Sequence, residues 1–338
     1  MTAVAEHTEQ IDIRRRPMRR VVLGSLRELA LVPAIAVLFV VGIVESPAFF
    51  TTANFSNTAQ FSAALGLVVV AESLILLTGS FDLSLQSTYG LAPMIGAWLI
   101  VPTSAQGLGT DWNPAFGILV VVGIGAAVGL LNGFMIVKLR FNAFIFTLAM
   151  LILLAGLQQG IVSGRTIYGM PHAFTYLGSA YWGGFPVSAW TTCAVFLAAA
   201  LFLRYHRVGR AIYAIGGNLE AARAAGIKVD RVRIGVFTLA GALAAVAGLM
   251  IAGQVVAVTA NQGNNLIFTV FAAAVIGGIA LEGGRGRMVG AFTGVVLLGL
   301  VNNVLVLRNT STFWIDAANG AIILIALGLA RVVALVRT

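Results

Sequence analysis

The chain is a succession of apolar runs, each about as long as the hydrocarbon core of a bilayer is thick. Crossing about 30 Å as helix takes about 20 residues. Ten such runs can be read, at roughly 28–49, 59–78, 83–101, 115–136, 142–163, 186–203, 232–253, 265–281, 288–307 and 312–334. The third carries Pro93, and the eighth is short and broken by Gly277 and Gly278. Apolar residues make up 59% of the chain and charged residues 10%, where a soluble domain carries about 25% charged. So few charges cannot cover a water-soluble fold of 338 residues, and lipid is the solvent this composition fits. The same numbers exclude disorder, collagen and a secreted disulfide scaffold. Helix is the expected spanning form, because the runs lack the alternation of barrel strands. The expected fold is therefore an all-α polytopic membrane protein with about ten transmembrane helices. A single domain, 28–334, would lie between a basic arm, 1–27, and a short tail, 335–338.

The net charge of +9 raises the question of nucleic acid, and the placement of the basic residues answers it. Arg14, Arg15, Arg16, Arg19, Arg20 and Arg27 crowd the amino-terminal arm. With that arm taken as cytoplasmic, the inside loops collect 19 basic residues against Arg165 and Arg308 outside. This is the positive-inside bias of a membrane protein, and it puts both termini in the cytoplasm. A twin-arginine export signal is a rival reading of the arm, but no small-residue cleavage site follows the first apolar run.

Glycine supplies 39 residues. Gly125, Gly129 and Gly133 recur every four positions, as do Gly290 and Gly294. In lipid, small residues at this spacing let helix backbones approach closely, either within one subunit or at a dimer seam.

Signatures of chemistry are scarce. There is no Gly-x-Ser-x-Gly elbow and no Cys-x-x-Cys, and the lone Cys193 can form no internal disulfide. His7, His172 and His206 lack paired ligand spacing, so no metal site is expected. No Gly-Lys dipeptide occurs, which removes the Walker A loop. If ATP drives this chain, another chain hydrolyses it.

The segment between the sixth and seventh runs, 204–231, is the longest predicted inside loop. Gly216 and Gly217 break the chain there, and Asn218 is a good N-cap. Leu219 to Ala225 would form a short Ala-rich helix closed by Gly226. Such a helix is either a linker capped for stability or an element that receives force from a cytoplasmic motor.

Residues 212–227, Ile-Tyr-Ala-Ile-Gly-Gly-Asn-Leu-Glu-Ala-Ala-Arg-Ala-Ala-Gly-Ile, closely resemble the "iYAiGGNeeAArlsGI" stretch of ribose-type permease subunits of ATP-binding-cassette importers. Thr78-Gly-Ser-Phe-Asp-Leu-Ser-Leu-Gln-Ser87 is similar to that family's "tGGIDLSVGS". Asn132-Gly133 with Lys138, then Phe144 to Leu148, resembles its "nGllvaklrvpPFIvTL". Val275-Ile-Gly-Gly278 with Gly283-Gly-Arg-Gly286 resembles "viGGtSLsGGrG", and Gly299-Leu-Val-Asn-Asn303 resembles "GflnNgl". The likeness runs in order from about residue 45 to the end. It departs at Gln86, where the family has glycine, at Ala143 for a proline, and at Leu266 to Val270, where an acidic residue is missing. Glu72 stands where the family's residue is apolar.

The resemblance implies a type II importer-like fold with ten helices and two permease subunits around one path. It implies a cytoplasmic ATPase that binds ATP and Mg, an extracytoplasmic solute-binding protein, and no cofactor on this chain. Arg210, Asn218, Glu220, Ala221, Ala222, Arg223 and Gly226 would then contact the ATPase, the small residues permitting close approach. Gly79, Asp82, Ser84, Gly283 and Gly284 would be structural motif positions.

A mid-bilayer carboxyl costs at least about 2.5–3.5 kcal/mol to insert, so Glu72 should be partnered, protonated or facing water. It could contact a hydroxyl-rich solute or brace a neighbouring helix. Gln158, Gln159, Asn302 and Asn303 are the other path candidates, since amides offer both donor and acceptor to sugar hydroxyls. Bonds between helices are the alternative for each. Asp82, Asp316 and Glu45 fall near run ends, where solvation or capping is expected. Two other functions compete with the importer half: an ion-coupled carrier, for which Glu72 alone offers a buried charge, and a membrane-embedded enzyme, for which Asp111 is nearly alone outside.

Overall fold

The computed structural model describes residues 31–110, 112–311, 313–315, 317–322, 324 and 328. The basic arm, the tail and Asp316 lie outside these residues. Twelve α-helices have described bounds: α1 (Val32–Glu45), α2 (Thr52–Leu77), α3 (Leu85–Ile100), α4 (Pro114–Val137), α5 (Ala143–Ile161), α6 (His172–Ser179), α7 (Val187–Tyr205), α8 (Arg207–Gly217), α9 (Leu219–Ala224), α10 (Val229–Val255), α11 (Leu266–Ile276) and α12 (Met288–Leu307). Six of them (α2, α4, α5, α7, α10 and α12) are long and apolar enough to cross a membrane. The first nine apolar runs each hold one helix, but three of these helices are short. α1 has 14 residues, α3 has 16, and α11 stops after 11 at Gly277 rather than continuing to 281. About half of the tenth run lies outside the described residues; those described, 313–315, 317–322, 324 and 328, are helical.

Helix α2 is the central post. Every residue from Ala63 to Leu77 is buried, and a helix apolar on all faces is stable only when surrounded. Helices α7, α10, α11 and α12 pack around it. The longest helix, α10, also packs against α3, α4 and α6. Its seam with α4 explains the first glycine series. A Cβ on Gly125 would meet Gly241 O and Ala245 Cβ, one on Gly129 would meet Phe237 O, and one on Gly133 would lie 3.1 Å from Ile234 Cα. Gly290 and Gly294 of α12 likewise press on Ala273 of α11 and on Gly277 just beyond its end. Both series therefore serve packing within the subunit.

Pro93 has a matching consequence in α3. Proline has no N–H, so the Tyr89 carbonyl four residues earlier loses its helical donor. Gln262 supplies one, donating through Nε2 to Tyr89 O at 3.0 Å and to Gly248 O at 3.1 Å. Gly248 admits this approach, since a Cβ there would collide with the same Tyr89 oxygen. Between α6 and α7, Tyr181–Trp182 and Phe185–Pro186 form an antiparallel hairpin. Gly183 and Gly184, both at positive φ, make its two-residue turn.

Candidate functional site

The segment joining α2 to α3 is held from four sides. Asp82 accepts from Ser84 N at 2.9 Å and Ser84 Oγ at 2.6 Å. Asn132 Nδ2, on α4, donates to both Asp82 oxygens and, at 2.7 Å, to Ser84 Oγ. From α5, Thr147 Oγ1 accepts from Leu83 N at 3.1 Å. Arg233 of α10 donates to Ser80 Oγ at 2.7 Å. From α2 itself, Glu72 Oε1 accepts from Asp82 N at 3.4 Å. Glu72, Asp82, Ser84 and Asn132 are all fully buried, and burial without such partners would cost several kcal/mol per ionised group.

Of the two roles expected for Asp82, solvation does not hold: the carboxylate sits in the interior and accepts from the backbone N–H of Ser84, the residue at the entry to α3. Glu72 is partnered by the same segment, with Oε2 and Asn132 Oδ1 left without a hydrogen bond among the described residues.

The amides predicted to line a path fall in different places. Gln158 is buried and donates to Thr259 O and Gln262 O, both at 3.2 Å. Its neighbour Gln159 is exposed on the outer face of α5, away from Gln158, as adjacent helical residues must be. Asn303 exchanges side-chain bonds with Asn54 of α2, at 2.7 and 3.1 Å. Asn302 accepts from Asn319 at 3.5 Å. Gln158 and Asn303 thus spend their side chains on bonds between elements, and the four amides do not converge.

The predicted inside loop is more ordered than its sequence suggests. Residues 207–217 form α8, a second helix, and Gly216 and Gly217 end it rather than preceding a coil. Asn218 accepts from Ala221 N at 2.9 Å and so caps α9. Gly226, at φ +77°, follows the last turn. Gly226 N donates to Arg223 O at 2.9 Å and Ile227 N to Ala222 O at 3.1 Å, the paired closure that a left-handed residue allows. The helix ends at Ala224, one residue before the predicted end.

One expectation about α9 needs correction. Ala222 is 3% exposed and packs with Ile215 and Val229 of its own chain, so it offers no surface to a partner. Ala221, Ala225 and Glu220 are exposed instead. Arg223 pairs with Glu220 at 3.1 Å and approaches Asp230 at 3.8 Å. Asp230 in turn bonds Lys138 at 2.8 Å. Arg210 donates to Tyr205 O at 2.9 Å.

Glycines join this loop to the buried segment. A Cβ on Gly216 would collide with Leu77 O and Gly284 N. One on Gly283 would lie 2.7 Å from Gly79 N and 3.1 Å from Gly216 Cα. Gly284 N donates to Leu77 O at 3.1 Å, and Tyr213 Oη donates to Gly286 O at 2.9 Å. Gly79, Gly216, Gly283 and Gly284, read from three separate motifs, therefore meet as bare backbone.

Residues 54–327 match the family model described as the permease component of the branched-chain amino acid transport system. The chain belongs to this permease family. The permease is 34% identical to the ribose import permease of Escherichia coli over 298 residues, 86% of this chain and 90% of that one. It is 34% identical to the Bacillus subtilis ribose import permease over 310 residues, covering 91% and 94%. The autoinducer 2 import system permease of Klebsiella pneumoniae is 35% identical over 300 residues, covering 88% and 84%. No solved structure matches the chain. The relatives identify a multi-pass transport subunit of sugar importers.

Arg233 and Gln262 were not named as site residues, and Thr147 entered only as part of the Phe144–Leu148 likeness. Gln262 had a physical signal: Pro93 leaves a carbonyl in need of a donor. Arg233 and Thr147 hold the 78–84 segment through contacts across long sequence separations, and their roles could not be read locally.

Proposed function

We propose that the permease translocates a sugar or sugar-like solute through the cytoplasmic membrane as half of an importer's membrane path, powered by a separate ATPase. The ribose and autoinducer 2 carried by the relatives support this solute class. The observation that carries this reading is the seam of Gly79, Gly216, Gly283 and Gly284. It ties α8 and the capped α9 to the end of α2 and to the Asp82 cluster. The chain lacks a Walker A loop, so ATP and Mg belong to the ATPase, which would grip the exposed face of α9 around Glu220, Ala221, Arg223 and Ala225. Displacement of α9 would pass through α8 and the seam to the 78–84 segment. An extracytoplasmic binding protein would deliver solute, and a second permease subunit would complete the path. Ten helices of the type II arrangement, with both termini cytoplasmic, complete the reading; the tenth helix would occupy 312–334.

The test is solute uptake into vesicles holding the permease, its ATPase and binding protein. Uptake should require ATP and stop with a hydrolysis-dead ATPase. Uptake driven by an ion gradient without ATP would establish a secondary carrier instead.

A further inference from the structure

Where α7, α8 and the 277–289 segment meet, the permease encloses an open cavity of about 880 Å³. Arg204, Arg285 and Arg287 line it, together with Tyr213, and no carboxylate among the described residues does. The exposed guanidinium groups of Arg204 and Arg285 make the recess electropositive. Among the described residues, Arg204 and Arg285 pair with no carboxylate, although acidic side chains on the same face, such as Asp230 and Glu220, are held by Lys138 and Arg223. Arg204 instead lies over the Tyr205 ring, 5.2 Å from its centre.

The other wall of the cavity is apolar. Leu201 and Val289 line it and remain about half exposed. Leu201 continues an outward stripe along α7 through Leu197 to Trp190, each of them at least half exposed or nearly so. A water-soluble anion has no use for that stripe. A molecule with a phosphate head and an acyl chain satisfies both halves, its head among the arginines and its tail along α7. Basic recesses between spans at the cytoplasmic side suit anionic lipid heads for this reason. Gly278, Gly284 and Gly286 also line the recess, leaving backbone open to the head group.

We propose that this recess binds the phosphate head group of an anionic phospholipid, with the acyl chain lying on the Leu201–Trp190 face of α7. Because Gly284 belongs to both the recess and the seam, a bound lipid would brace the joint between α8 and α11. The proposal does not depend on which solute is carried.

The probe is phosphatidylglycerol in mixed phosphatidylcholine nanodiscs carrying the full chain, with retained lipid counted by native mass spectrometry after extraction. The Arg204→Gln/Arg285→Gln double variant should retain roughly tenfold less phosphatidylglycerol, given the attraction of each basic residue for an anionic surface. The Arg204→Lys/Arg285→Lys variant should retain nearly all of it, which separates lost charge from lost folding. Inorganic phosphate should not displace the lipid. Equal retention in wild type and the glutamine variant would overturn the proposal. Displacement by inorganic phosphate alone would also overturn it, assigning the recess to a soluble anion. Loss of ATPase co-purification with lipid retention unchanged would assign it to the partner protein.

Discussion

Glu72 Oε1 accepts a hydrogen bond from the backbone N–H of Asp82 at 3.4 Å, so one fully buried carboxyl holds the segment that carries another. Glu72→Gln keeps an acceptor oxygen at this N–H and should fold and transport with modest change. Glu72→Leu leaves the buried N–H unpaired, at a cost of about 1–3 kcal/mol. Thermal unfolding in detergent together with vesicle uptake checks both. A leucine variant of wild-type stability and activity would show that the carboxyl neither braces the segment nor meets solute.

Gly216→Ala should destabilise the permease by about 1–3 kcal/mol, as overpacking does, because its Cβ meets Leu77 O and Gly284 N. Gly217→Ala is the control. A Cβ there meets nothing within 4 Å, and stability should stay within about 1 kcal/mol of wild type. Melting temperatures of the two variants side by side decide the matter.

Placement of a charge on α9 separates docking from folding. Ala225→Glu, on the exposed face, should weaken ATPase co-purification or uncouple hydrolysis from uptake while leaving the permease's own melting unchanged. Ala222→Glu should instead destabilise the permease itself by several kcal/mol, since this side chain is buried against Ile215 and Val229. If Ala225→Glu assembles and transports normally, that face of α9 is not the contact.

Gln262→Leu removes the donor to Tyr89 O and Gly248 O. With Pro93 unable to contribute an N–H, the Tyr89 carbonyl would be left unpaired, and a loss of about 1–3 kcal/mol is expected. Hydrogen exchange around α3 should accelerate. Pairing the change with Pro93→Ala should recover part of the loss by restoring the helical donor.

Much of the architecture is legible in the sequence because lipid imposes a length on every span. The runs found nine helices, and the four-residue glycine spacing predicted close helix packing. Asn218 and Gly226 revealed both ends of α9, because capping is a local requirement. Residues 207–217 were missed as a helix: α8 is too short and polar to stand out beside spanning runs, and its two terminal glycines suggested coil. Ala222 was assigned to the wrong face because α9 has too few residues for its apolar stripe to be distinguished from an exposed alanine row. The path amides show a further limit. Gln158 and Gln159 look alike in sequence, and only the packing of α5 separates a buried donor from an exposed side chain.

The glycine seam has a mechanical consequence. Side-chain interfaces absorb small shifts by changing rotamers, but peptide planes in direct contact have no rotamers to change. A displacement of α8 cannot be taken up at Gly216 and must reappear, little attenuated, at Leu77 and Gly284. The joint behaves as a lever pivot rather than a cushion, and its stiffness comes from side chains that are absent.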